Sequence, residues 1–180
     1  MLFRNSLSTV LLLSCYVLLL LGCGPVVHLS ANKSPDYNEK LTKVYLLIRS
    51  AKGASKFADG FKAGFLSEMT KRNIAADSYV IEPLALEGDK DITARIAQYG
   101  PQAVVFMNQT ESVSTSGGTF SKTNPVTSAT FDIKILLPGS DKPVWRGNMV
   151  ASGNSHVTEA VEKAVTTLIR QMATDGLIGE

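Results

Sequence analysis

From Lys43 onward the chain alternates between short runs that are apolar throughout and longer stretches in which apolar side chains return every three or four residues. Lys43-Val44-Tyr45-Leu46-Leu47-Ile48-Arg49 is uninterrupted between two charges, the pattern of a strand buried on both faces. After a turn at Ser50–Ser55, Phe57, Phe61, Phe65 and Met69 recur at helical spacing with Ala58 and Leu66 beside them, predicting a helix to about Arg72. Ser55 is placed to cap its start and Asn73 to end it in the left-handed conformation. Residues 77–82 read as a second strand stopped by Pro83. Asp89 or Asp91 then caps a short helix with Ile92, Ile96 and Tyr99 on one face, closed by Gly100-Pro101. Ala103-Val104-Val105-Phe106-Met107 is a third strand, again apolar on both faces.

The rhythm then changes. Residues 112–128 are crowded with Ser and Thr, a polar excursion that could turn as a hairpin at Gly117-Gly118. Phe131, Ile133, Ile135 and Leu137 alternate with polar residues, the period of a strand with one buried face. Turn chemistry at Pro138–Lys142 and a paired strand over 144–152 make 130–152 a hairpin. Val157, Ala160, Val161, Ala164, Val165, Leu168, Ile169 and Met172 form a continuous helical stripe, startable by Asn154 or Ser155 and ended at Gly176. The order β-α-β-α-β-β-β-α predicts an α/β fold. Its sheet would be mixed and five-stranded, with the first three strands parallel, the last two an antiparallel hairpin, and the helices packed on it. Residues 43–180 form one domain, long enough to bury a core without staples.

This order resembles the amino-terminal domain of TolB and related anticodon-binding-like folds, which recur in bacterial envelope lipoproteins. It is also similar to small envelope lipoproteins in which a hairpin ending near Trp-Arg-Gly, here Trp145-Arg146-Gly147, leads into a last helix. The resemblance implies an architecture and no activity. The stretch Val44–Met107 resembles, in addition, one lobe of periplasmic binding proteins.

Ahead of the domain the pattern is of another kind. Leu7 to Leu21 is a run of 15 uncharged residues after a start carrying only Arg4. As a helix it would span about 22 Å, short of the ~30 Å hydrocarbon core, so it reads as an export signal. Leu20-Leu21-Gly22-Cys23 resembles the lipobox of bacterial lipoproteins. That resemblance implies cleavage between Gly22 and Cys23, diacylglycerol on the Cys23 sulfur and an acyl chain, such as palmitate, on the new amino terminus. Gly24 in place of Asp implies the outer membrane, with the domain in the periplasm or at the cell surface. Residues 1–22 are thus expected to be a signal peptide, and 23–42 the lipidated Cys and a flexible tether. Gly24–Thr42, with its Pro, Ser and Asn residues, shows no sustained period, and such a tether would reach at most about 60 Å. His28 falls within it.

Composition narrows the chemistry. Of the two cysteines, Cys15 leaves with the signal and Cys23 is taken by lipid, so the domain has no thiol for a disulfide, a nucleophile or a metal. Loss of Arg4 leaves 17 basic and 16 acidic side chains, too balanced for a nucleic-acid partner. The mean hydropathy of +0.09 comes largely from the leader.

The candidate chemistry is sparse. Gly53 lies between strand and helix where phosphate loops sit, but no G-x-x-x-x-G-K or G-x-G-x-x-G pattern is present, and Gly60 and Gly64 read as close helix packing. His156 is the domain's one histidine, at a helix start that disfavours an imidazolium, and no G-x-S-x-G accompanies it. Asp89-x-Asp91 is ordinary capping chemistry, and Glu82 and Glu87 show no partner. Trp145 reads as sheet packing. Asn108-Gln109-Thr110-Glu111 begins where the third strand ceases to be apolar, at the carboxyl end where open α/β sheets bind ligands. It is the candidate groove for a ligand or partner; its plain alternative is a hairpin arm running into solvent. The chain therefore reads as a non-enzymatic envelope lipoprotein, without metal or cofactor beyond its covalent lipid. Its expected partners are the membrane and another envelope protein. The alternative is a small-ligand-binding module. A hydrolase using His156 and Glu111 ranks last.

Overall fold

A computed structural model of the chain describes residues 25–51, 54–114, 126–152 and 157–179. The signal segment, Cys23, Gly53, the Gly117-Gly118 turn and the 154–156 cap with His156 lie outside them. Six strands and three helices follow in the order β1 (Val26–Lys33), β2 (Lys43–Arg49), α1 (Ser55–Lys71), β3 (Ala75–Ile81), α2 (Asp89–Tyr99), β4 (Ala103–Ser114), β5 (Val126–Leu136), β6 (Pro143–Ser152) and α3 (Val157–Thr174). The sheet order is β1-β6-β5-β4-β2-β3. β3, β2 and β4 are parallel; β4, β5, β6 and β1 are successively antiparallel.

The parallel strands, the hairpin and the three helices stand as expected. The strand count does not: there are six, and the sixth lies where a tether was expected. Val26–Lys33 pairs along its whole length with β6, from Val26↔Ser152 to Lys33↔Trp145. Val27, Leu29 and Ala31 pack on the core while His28, Ser30 and Asn32 are exposed. Such an edge strand with one wet face has a composition close to that of a linker, and its pairing comes from the neighbour rather than from propensity. The chain beyond is also held. Tyr37 and Leu41 are buried, and the Leu41 N–H donates to the Leu177 carbonyl at 2.8 Å.

One face of the sheet carries the core. Val44, Leu46 and Ile48 of β2, Val105 and Met107 of β4, Phe131, Ile133 and Ile135 of β5, and Trp145 and Met149 of β6 meet Phe61, Phe65 and Met69 of α1 and the α3 stripe. α1 and α3 pack closely because Gly60 and Gly64 face Val161 and Val165; a Cβ there would sit 3.3 and 3.1 Å from the valine methyls. Gly147 has the same kind of reason. It shares a face with Trp145, and a Cβ on it would lie 2.6 Å from the indole. The Trp145 Nε1–H donates to Asp175 Oδ2 at 2.6 Å, tying β6 to the end of α3.

Two cap expectations shift. Ala54 occupies the α1 cap position, without a side-chain hydrogen bond, and Ser55 is already helical. Gly88 occupies that of α2, and Asp91 Oδ2 accepts the Gly88 N–H at 3.0 Å from inside the first turn. Asn73 adopts positive φ as expected, at 55°.

Candidate functional site at the carboxyl ends of the parallel strands

Arg49, Ile81 and Asn108 end the common register of the three parallel strands, and β4 continues beyond them as a hairpin arm. The four candidate residues begin on this row, and they do not converge. Asn108 pairs with Asp132 on the face away from the core. Gln109 follows the inward parity of Val105 and Met107. Its Oε1 accepts the Ala51 N–H at 2.9 Å, and its enclosed Nε2 has no hydrogen-bond partner among the described residues. A register shift between Gln109 and Glu111 leaves Thr110 as a bulge, its hydroxyl donating to the Thr130 carbonyl at 3.3 Å. The extra residue re-aims the next side chain, so Glu111 stands opposite Thr130 on the outer face. Gln109 therefore steadies the β2–α1 turn, while Asn108 and Glu111 look the other way. The polar excursion is, in its described part, the two paired arms of the β4–β5 hairpin.

The outer face beside them carries a charge cluster that has no sequence spacing to reveal it. Asp132 accepts hydrogen bonds from Arg146 Nε at 2.9 Å and Nη2 at 3.3 Å, and its carboxylate lies 3.2 Å from Lys134 Nζ. Burial pushes the Asp132 carboxyl upward, but the hydrogen bonds from Arg146 and Lys134 together outweigh it and hold it below the usual carboxylate value. A second cluster joins β3 to α2. Glu87, expected to lack a partner, accepts from the Tyr79 hydroxyl and pairs with Arg95 at 2.9 Å, while the Arg95 guanidinium lies 4.5 Å from the Tyr79 ring centre. The hydrogen bond to Glu87 raises the Tyr79 hydroxyl pKa.

The same outer face holds an open, largely apolar groove of about 450 Å³, bounded by α2 and by Leu47, Val104, Phe106, Leu136 and Leu137. It lies toward the amino end of β4, away from the candidate residues. The signal for it was the unbroken apolar run of β4, since Val104 and Phe106 alternate with core residues and still need cover. His28 is exposed on β1. No cluster of three or more His, Cys, Asp or Glu side chains that could hold a metal occurs among the described residues. Nor is any helix among them long and apolar enough to cross a membrane.

No protein-family model matches the chain, and no curated protein does. Solved structures do. PelC from Paraburkholderia phytofirmans, crystallised as a dodecamer, superposes with a TM-score of 0.51 at 9% identity, covering 86% of this chain and 100% of that one. The lipoprotein GNA1162 from Neisseria meningitidis matches at a TM-score of 0.41 and 14% identity, over 74% of this chain and 99% of its own. TolB from Acinetobacter baumannii matches at 0.30 and 12%, over 86% of this chain and 32% of that one. The PelC likeness shows a shared fold.

Proposed function

We propose that the protein is a lipid-anchored component of the bacterial cell envelope, held at Cys23 in the outer membrane, whose periplasmic domain binds or assembles with another envelope protein without catalysis. The observation that carries this reading is Leu20-Leu21-Gly22-Cys23 at the end of an uncharged run, directly ahead of a sheet with its own core. Two or three acyl chains on Cys23 would hold the domain at the membrane far more firmly than one. PelC, of the same fold, exists as a dodecamer, which supports a role in assembly. Intact mass of membrane-extracted protein is expected to show loss of residues 1–22 and added acyl chains. Cys23→Ser should release the protein into the soluble fraction, and pull-down of the lipidated form should recover one envelope protein in constant ratio. An unmodified Met1 would refute the anchor, and repeated pull-downs without a constant companion would refute the assembly role.

The apolar groove under α2 favours a second reading, a small-ligand-binding module. A thermal-shift screen with small apolar metabolites decides it; a flat response removes it.

A further inference from the structure

The register of β1 limits how far the domain can stand from its anchor. Val26 lies opposite Ser152, Ser152 opposite Ser128 and Ser128 opposite Val113, while the last parallel row runs from Asn108 through Asp132 and Asn148 to Ser30, so β1 begins four residues beyond the carboxyl ends of the parallel strands, alongside the arms of the β4–β5 hairpin. Only three residue steps separate Cys23 from Val26. At 3.3–3.6 Å each they reach at most about 11 Å, not the ~60 Å of a free tether. The start of the strand is held further by Lys163 of α3, whose Nζ donates to the Pro25 carbonyl at 3.0 Å.

The same end of the sheet carries the apolar side chains that the fold leaves in water, with Val26 on the β1 side and Leu84 and Leu86 on the opposite, β3 side. Among the described residues four large hydrophobic side chains are exposed: Val26 at 50%, Leu84 at 87%, Leu86 at 102% and Val157 at 42%. Val26 opens β1. Leu84 and Leu86 lie in the connection that leaves β3 after Ile81. Val157 opens α3, just after β6 ends at Ser152. Singly exposed apolar residues are ordinary. Here all four share one end of the sheet. At the other end, Leu136 and Leu137 remain half-buried against the groove.

We infer that this carboxyl edge is the membrane-facing surface of the domain, with Val26, Leu84, Leu86 and Val157 touching the lipid interface. The inference rests on the Cys23 anchor proposed above and adds an orientation to it: the apolar groove and the β5–β6 turn point away from the bilayer. The contact is apolar rather than electrostatic. Glu82, Glu87, Asp89 and Asp91 flank the two leucines in sequence, but basic groups stand among them: Arg95 pairs with Glu87 at 2.9 Å, Arg49 lies 4.0 Å from Asp89, Lys90 separates the two aspartates, and Lys163 reaches Pro25 beside Val26. With acids and bases balanced at this end, anionic lipid should change the contact little.

Because the mature chain has no thiol besides the lipidated Cys23, single cysteines can be introduced and labelled in the full-length lipidated protein, reconstituted in phosphatidylcholine vesicles. Leu86→Cys and Leu84→Cys, both at largely exposed positions outside the core, carry an environment-sensitive fluorophore. Ser140→Cys in the β5–β6 turn marks the opposite end. Quenching by a nitroxide on the lipid chains is expected to be severalfold stronger at positions 84 and 86 than at 140, and to change little when phosphatidylglycerol is added. Equal, weak quenching at all three positions in protein whose mass shows acylated Cys23 overturns the orientation and leaves the anchor standing. An unacylated Cys23 overturns both.

Discussion

The two faces of the sheet are covered differently, and the difference separates what holds the domain together from what it can offer a partner. Under α1 and α3, Phe61, Phe65, Trp145 and Met149 are sealed from water, and glycines at 60, 64 and 147 remove the Cβ atoms that would hold the layers apart. The outer face has only α2 over β2 and β4; α2 covers Tyr45 and Leu47 and buries one residue of its own, Ile92. Beyond it β5 and β6 carry half-buried Thr130, Asp132 and Lys134 and the exposed Arg146, and the groove beside Phe106 stays open. A sheet covered completely on one side can leave the other free for contact, because apolar burial on the first side supplies most of the stability.

This contrast can be broken by substitution. The largest effect is expected from Phe65→Ala, which should lower unfolding stability by about 3–5 kcal/mol in urea titration. Phe106→Ala on the outer face should cost less than half as much; equal costs would show that the faces are not different in kind. Trp145→Phe removes the donor to Asp175 and is expected to cost about 1.5–3 kcal/mol. Gly147→Ala forces the indole aside and should cost about 1–3 kcal/mol, with a changed tryptophan emission as its signature. The smallest effect belongs to Asp132. Its carboxyl is depressed in the folded state, so its contribution is complete above the ordinary value of 3.8 and is lost as pH falls below that value through the folded one. Arg146 is largely wet, so Asp132→Asn should cost below about 1 kcal/mol at neutral pH and flatten the acid limb of the stability profile.

The same two faces explain what could be read in advance. β2, β4 and α3 announce themselves because burial on both faces, or along a full helical stripe, leaves an uninterrupted apolar pattern. β1 does not: Val27, Leu29 and Ala31 do alternate with His28, Ser30 and Asn32, but eight residues with half of them wet, framed by Pro25 and Pro35, look like a linker until β6 is placed beside them. The facing of the candidate residues was hidden for a similar reason. That Asn108–Glu111 sits at the carboxyl end of a parallel strand was readable. The bulge at Thr110, which turns Gln109 and Glu111 to opposite faces, is a product of pairing with β5 and has no signature in β4 alone. Tyr79, Glu87 and Arg95 meet across a loop at no regular period, so their cluster became visible only in three dimensions.

The zipped edge strand also has a mechanical meaning. β1 enters the sheet from its carboxyl edge and runs the full length of β6, so a pull on the segment before Val26, along the strand, is met by the whole ladder at once. The hydrogen bonds are loaded in shear, together, rather than peeled one after another. A domain joined in this way can be tugged by whatever it holds without its first strand being drawn out.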